Sequence, residues 1–167
     1  QLAYHAMRGD AWAEAVGYSR QAGEKAMARS AHREAASYFE QAIHALAHLP
    51  DTRDTREQAI DLRLALRSAL HPCGELRRAT ACVSEAEVLA QALADPRRLA
   101  EVSVALSLHC YLSGAYSEAI AAAARVATLA PATGVDQRPR AALHLAIAYQ
   151  ARGDYHRAID CLSTIAA

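Results

Sequence analysis

Lysine is almost missing from this 167-residue chain: of 18 basic residues only Lys25 is a lysine, and 18 acidic residues cancel them to a formal charge of +0. Asparagine is absent altogether. Proteins that hold nucleic acid through its phosphates, or that dock on anionic lipid, carry a basic excess, so neither partner is expected. Aromatic residues make up only 5% of the chain, which leaves packing to small side chains and brings helices close together. Valine and isoleucine together number 13, against 42 alanines and 18 leucines. Unbranched and methyl side chains lose little entropy in a helix, whereas β-branched ones favour strands, so the composition predicts an all-α fold and excludes a β-rich one. No apolar run reaches the ~20 residues that span a bilayer. The four cysteines, Cys73, Cys82, Cys110 and Cys161, match no C-x-x-C spacing and read as buried thiols of a reducing, cytoplasmic compartment.

What is present is a repeat. Gly74-Glu75-Leu76-Arg77-Arg78-Ala79, Gly114-Ala115-Tyr116-Ser117-Glu118-Ala119 and Gly153-Asp154-Tyr155-His156-Arg157-Ala158 are spaced by 40 and 39 residues, and Ser30-Ala31-His32-Arg33-Glu34-Ala35 is a degenerate copy with serine in place of glycine. Helical periodicity flanks each copy. Leu62, Leu66 and Leu70 share one face before a turn; Tyr38, Phe39, Ala42, Ile43 and Leu46 share one after it. The unit is helix, tight turn, helix, with the glycine supplying the left-handed conformation that stops the first helix. Helices are predicted at 1–8, 11–29, 31–48, 54–71, 75–94, 96–113, 116–130, 138–152 and 155–166, with prolines at Pro50, Pro96, Pro131 and Pro139 marking their ends and starts. A single domain over 1–167 follows, with units 11–48, 54–94, 96–131 and 138–166, and 1–8 as the remnant of a preceding helix. Short connections make neighbouring helices antiparallel, and stacked hairpins twist into a superhelix. The least regular joint, Pro50 to Thr55, lacks apolar anchors and is expected to be the softest.

Leu145-Ala146-Ile147-Ala148-Tyr149, Gly153-Asp154-Tyr155 and Ala158 resemble the tetratricopeptide repeat, and Ser107, Gly114, Tyr116, Ala119 and Pro131 match it one unit earlier, with Cys110 where that family places an aromatic residue. The resemblance implies a right-handed α-solenoid of about four hairpins whose first helices line a concave groove for a protein or peptide partner. Carried over residue by residue, the groove is Glu101, Val104, Leu108 and Tyr111 from one pair and Arg140, Leu143, Ile147 and Gln150 from the next. Over a longer span, Trp12 to Phe39, Asp61-Leu62-Arg63-Leu64 and Gly114 to Ala119 resemble the C-terminal helical region of bacterial multidomain ATPases in which a nucleotide cyclase domain and an AAA-type module precede the repeats. That likeness implies a regulatory segment of a signalling protein, or of an ATPase-type transcriptional regulator.

Catalytic motifs are missing. Lys25 follows no glycine-rich loop, so no phosphate cradle of the G-x-x-x-x-G-K-[ST] kind exists, and neither G-x-S-x-G nor G-x-G-x-x-G occurs. His44 and His48 lie four apart on one helical face, but Ala45 stands where a zincin carries its glutamate base, and the pair reads as a solvated helix edge. Arg63 and Arg67 form an i, i+4 stripe expected to pair with Asp61 or another local acid. The expectation is a non-enzymatic scaffold without cofactor or metal, rather than a hydrolase or metal enzyme spread across helices. It is further expected to form homodimers through terminal helix surfaces at Leu2, Leu162 and Ile165.

Overall fold

The computed structural model describes residues 11–133 and 138–166. The predicted helix at 1–8 and the surface at Leu2 lie outside the described residues, as does the side chain of Ile165. Among the described residues the protein is all-helical, with no strand: α1 (Trp12–Ala28), α2 (His32–Leu46), α3 (Arg53–Leu70), α4 (Leu76–Leu93), α5 (Pro96–Leu112), α6 (Tyr116–Thr133), α7 (Arg138–Ala151) and α8 (Tyr155–Ala166). A 3-10 turn, His71–Cys73, extends α3. The sixth helix runs through Pro131 to Thr133 instead of stopping at 130.

Each pair closes on the same turn. The amides of Ala31, Glu75, Ala115 and Asp154 donate to the carbonyls of Ala26, Leu70, Cys110 and Tyr149, five residues back, at 2.8 to 3.2 Å. This six-to-one bond requires a left-handed residue in between, and Gly74, Gly114 and Gly153 supply it at φ 75, 81 and 83°. Ser30 takes the same conformation at φ 58°, so the degenerate copy keeps the turn at the cost of a strained serine. Ala94, also left-handed at φ 50°, is a position that nothing in the sequence flags.

Contacts gather into two compact units, dividing the chain between Leu93 and Ala94. In the first unit one apolar core takes Ala15, Val16 and Ala26 from α1, Phe39, Ala42 and Leu46 from α2, Leu62, Leu66 and Leu70 from α3, and Ala79 and Cys82 from α4. Alanine-lined faces bring the backbones close. A methyl group at Gly23 would lie 2.6 to 2.9 Å from three atoms of the Phe39 ring, so α1 and α2 meet at a distance only glycine allows.

The joint between α2 and α3 is more firmly tied than the sequence suggests. Thr52 Oγ1 accepts from the Thr55 amide at 3.2 Å and Thr55 Oγ1 from the Thr52 amide at 2.9 Å, a reciprocal cap. Thr55 also donates to the Pro50 carbonyl, and Arg56 forks onto Asp51 at 2.7 and 2.6 Å, while Leu49 packs on the core. Polar bonds replace the missing apolar anchors.

In the second unit, α5, α6 and α7 share two small cores. Val104, Val126 and Ala141 form one. Cys110, Ala119 and Ala148 form the other, flanked by Leu106, Tyr111, Ala115 and Ile120. Buried Ser107 donates to the Ala119 carbonyl at 3.0 Å and stitches α5 to α6. Asp95 caps α5 by accepting from the Arg97 amide at 2.9 Å, with Pro96 in the first turn.

Candidate functional site

The groove inferred from the repeat pattern lies on α5 and α7, the first helices of two consecutive pairs, which touch each other. Three of its eight residues come together: Leu108, Tyr111 and Ile147 line a cleft of about 50 Å³, completed by Ser107 and His144. The other five stand apart from it. Val104 is 6% exposed and packs on Val126 and Ala141, so it is a core residue without surface to offer a ligand. Glu101 is held by Arg98 at 2.9 Å. Arg140, Leu143 and Gln150 are exposed on α7.

His144 is the member that sequence reasoning passed over. Counting 3.6 residues per turn from Arg140 falls between Leu143 and His144, and the chain places His144 in the cleft and Leu143 outside. Burial, and secondarily the charge of Arg140, holds its imidazole below the usual range. At neutral pH it is therefore an uncharged wall. The Ser107 proton goes to a carbonyl, so this hydroxyl is not activated by a base as a nucleophile would be. What the cleft offers is an apolar floor with an imidazole and a tyrosine at its sides, a geometry for seating a small side chain.

The first unit carries a larger concavity that no sequence signal announces. Two adjoining hollows of about 240 and 340 Å³ share Ile43 and Arg63. Their floor includes Leu46, Leu66, Leu70 and Cys82, and ion pairs cross their rims: Arg63 Nε to Glu85 at 2.8 Å and Arg78 to Glu40. Arg63 thus pairs with an acid of α4, not with Asp61 or another acid close in sequence, because the packed hairpin brings Glu85 nearer. Arg67 also donates to Ser68 at 3.3 Å, and burial pulls its guanidinium below the ordinary range.

His44 and His48 are exposed, as a solvated edge should be, but Trp12 stacks on His48 with ring centroids 3.9 Å apart and meets His44 edge-on at 6.3 Å. They serve to pin the start of α1 to the end of α2. No group of three metal-binding side chains occurs among the described residues. All four cysteines are free thiols; Cys82 and Cys110 are buried, whereas Cys73 and Cys161 are half-buried and depart from the expectation for all four. Among the described residues no helix is long and apolar enough to cross a membrane.

Fold and cleft together define an all-helical protein of successive hairpins. Among solved structures it is similar to the crystal structure of BtubC (BKLC) from P. vanneervenii, with a TM-score of 0.79 at 18% identity over 91% of this chain. The chain spans 62% of that protein's length. Neither a protein-family model nor a curated protein matches it.

Proposed function

We propose that the chain is a tetratricopeptide-type α-solenoid of about four hairpins in a right-handed superhelix, acting as a non-catalytic interaction scaffold in a cytoplasmic bacterial signalling protein of the ATPase or cyclase kind. The observation that carries this reading is the cleft on α5 and α7, where Leu108, Tyr111, His144 and Ile147 converge. It lies on the first helices of consecutive pairs, the elements that line the groove in that family. The 40- and 39-residue spacing, the four identical turns and the fold likeness to BtubC support the same architecture. The partner's contact is a small apolar side chain, because a cavity of about 50 Å³ admits little more.

A comparison of captured proteins tests it. Wild-type chain and an Ile147→Glu variant, matched for helicity, are used as baits in extract from the source bacterium. A partner held by the wild type and lost by the variant supports the cleft; a partner held equally by both refutes it. A coding sequence in which no nucleotide-binding module precedes the repeats refutes the ATPase and cyclase assignment.

A further inference from the structure

The hollows of the first unit are separate from the cleft on α5 and α7, and the side chains around them have a chemistry of their own. Both α2 and α4 pack on α3. Between them Ile43, Leu66, Leu70 and Cys82 make an apolar floor, and Arg63 stands where the hollows of about 340 and 240 Å³ meet. Its guanidinium is only partly spent. Nε donates to Glu85 at 2.8 Å and Nη1 to the Ala59 carbonyl at 3.1 Å, whereas Nη2 has no partner among the described residues. The acid that Arg63 holds is the freer member of the pair: the Glu85 side chain is 59% exposed, against 19% for Arg63. An ion pair with so exposed a member contributes little, and Glu85 can turn into water. A carboxylate that took Nε and Nη2 together would gain the two-pronged geometry that guanidinium favours, which Glu85, bonded through Nε alone, does not have.

We propose that this hollow binds a small, free carboxylic acid with an apolar tail, of the class of medium-chain fatty acids. Its carboxylate takes the Nε and Nη2 edge of Arg63 in place of Glu85, and its tail lies over Ile43, Leu66, Leu70 and Cys82. Two features favour a free acid over the end of a peptide chain. The larger hollow, about 340 Å³, lies near the small end of ligand cavities, which run from roughly 300 to 1,000 Å³. The other charged side chains of its wall, Glu40 and Arg78, are paired with each other, so a peptide main chain, with a donor and an acceptor at each residue, would find few partners there. The site is built by packing within the first unit and does not depend on the repeat reading.

Calorimetric titration of the full chain with sodium octanoate, with 1-octanol as the uncharged control, tests the proposal. Octanoate should bind once per chain and about tenfold or more tighter than octanol, the worth of hydrogen bonds to a charged group. Each methylene added between hexanoate and octanoate should tighten binding about fourfold. Glu85→Gln should tighten octanoate binding, because it removes the competing carboxylate. Arg63→Gln should weaken it about tenfold and leave octanol unchanged; if that variant does not fold, Glu85→Gln decides alone. Ala81 is an exposed part of the wall, so Ala81→Trp should fill the hollow and abolish binding with helicity intact. Equal affinity for octanoate and octanol, binding undiminished in Ala81→Trp, or no tightening in Glu85→Gln overturns the inference, as does an absence of binding at millimolar octanoate. A short peptide ending in a free leucine carboxylate that binds this hollow more tightly than octanoate makes a chain end the occupant and overturns it as well.

Discussion

Adding one methyl group at Gly23 should destabilise the first unit, although adding it two turns earlier should do the opposite. Glycine inside a helix costs roughly 0.5 to 1 kcal/mol relative to alanine, so propensity alone favours Gly→Ala at both Gly17 and Gly23. At Gly17 nothing lies within 4 Å of the new methyl, and the full gain is expected. At Gly23 the methyl would sit 2.6 Å from Phe39 Cε1, 2.8 Å from Cδ1 and 2.9 Å from Cζ. Phe39 is 2% exposed and cannot swing into solvent, so the ring or the helix must move by about an ångström. Overpacking of this kind costs about 1 to 3 kcal/mol, and with three ring atoms involved the upper half of that range applies. The net effect is a loss of about 1 to 2 kcal/mol, or a fall in melting temperature of about 3 to 8 °C. Fluorescence of Trp12, the one tryptophan in the chain and part of the first unit's core packing, follows the melt alongside circular dichroism. Phe39→Leu removes the ring edge, so Gly23→Ala should cost nothing further in that background. A Gly23→Ala protein as stable as the wild type, or a loss that persists undiminished beside Phe39→Leu, refutes the close-packing argument.

Ser30→Gly should stabilise the protein by up to about 1 kcal/mol and Gly114→Ala destabilise it by about 1 to 2 kcal/mol, since only glycine occupies the left-handed region without strain; urea midpoints measure both. Ser107→Ala, which removes the bond to the Ala119 carbonyl, should cost about 1 kcal/mol and lower protection at the start of α6 first. For His144, burial lowers the folded-state value, so below the ordinary imidazole range, about pH 6.5, the unfolded chain takes up the proton before the folded one does. Stability should therefore fall with pH through that window. A His144→Phe variant should show a shallower slope, and an unchanged slope in urea titrations across the window would remove the assignment of a buried neutral imidazole.

The parts of the fold that could be read in the sequence are those governed by bonds between near neighbours. The three glycine turns are set by six residues each, and even the Ser30 copy announced its turn through Ala35, five positions on. Helix faces such as Leu62, Leu66 and Leu70 follow from periodicity alone. Contacts made across packed helices escaped. Arg63 finds Glu85, 22 positions away, and Trp12 finds His48, 36 positions away, because backbone approach and not spacing decides who meets. At the joint Pro50 to Thr55 the lack of apolar side chains is plain in the sequence, and the T-x-x-T pattern of Thr52 and Thr55 is the local signal for the reciprocal cap that forms there. In the cleft, the 3.6-residue period locates the helix face but not the side of it, so it points to Leu143 as readily as to His144.

The four thiols divide evenly between the two compact units, and each unit holds one of each kind: buried Cys82 with half-buried Cys73 in the first, buried Cys110 with half-buried Cys161 in the second. Burial, aided by the charge of Glu85, also pushes the Cys82 thiol up from its ordinary value, which slows its reaction with an alkylating reagent beyond simple shielding. The molecule therefore contains a pair of chemical clocks, each with its own internal standard. Brief alkylation followed by mass measurement would mark half-buried Cys73 and Cys161 ahead of the buried pair, Cys161 the more slowly because burial and the charge of Asp160 push its thiol up as well, then time the opening of each unit by the label arriving at Cys82 or Cys110. Whether the two halves of the chain unfold together or in succession is written in which buried sulfur is labelled first.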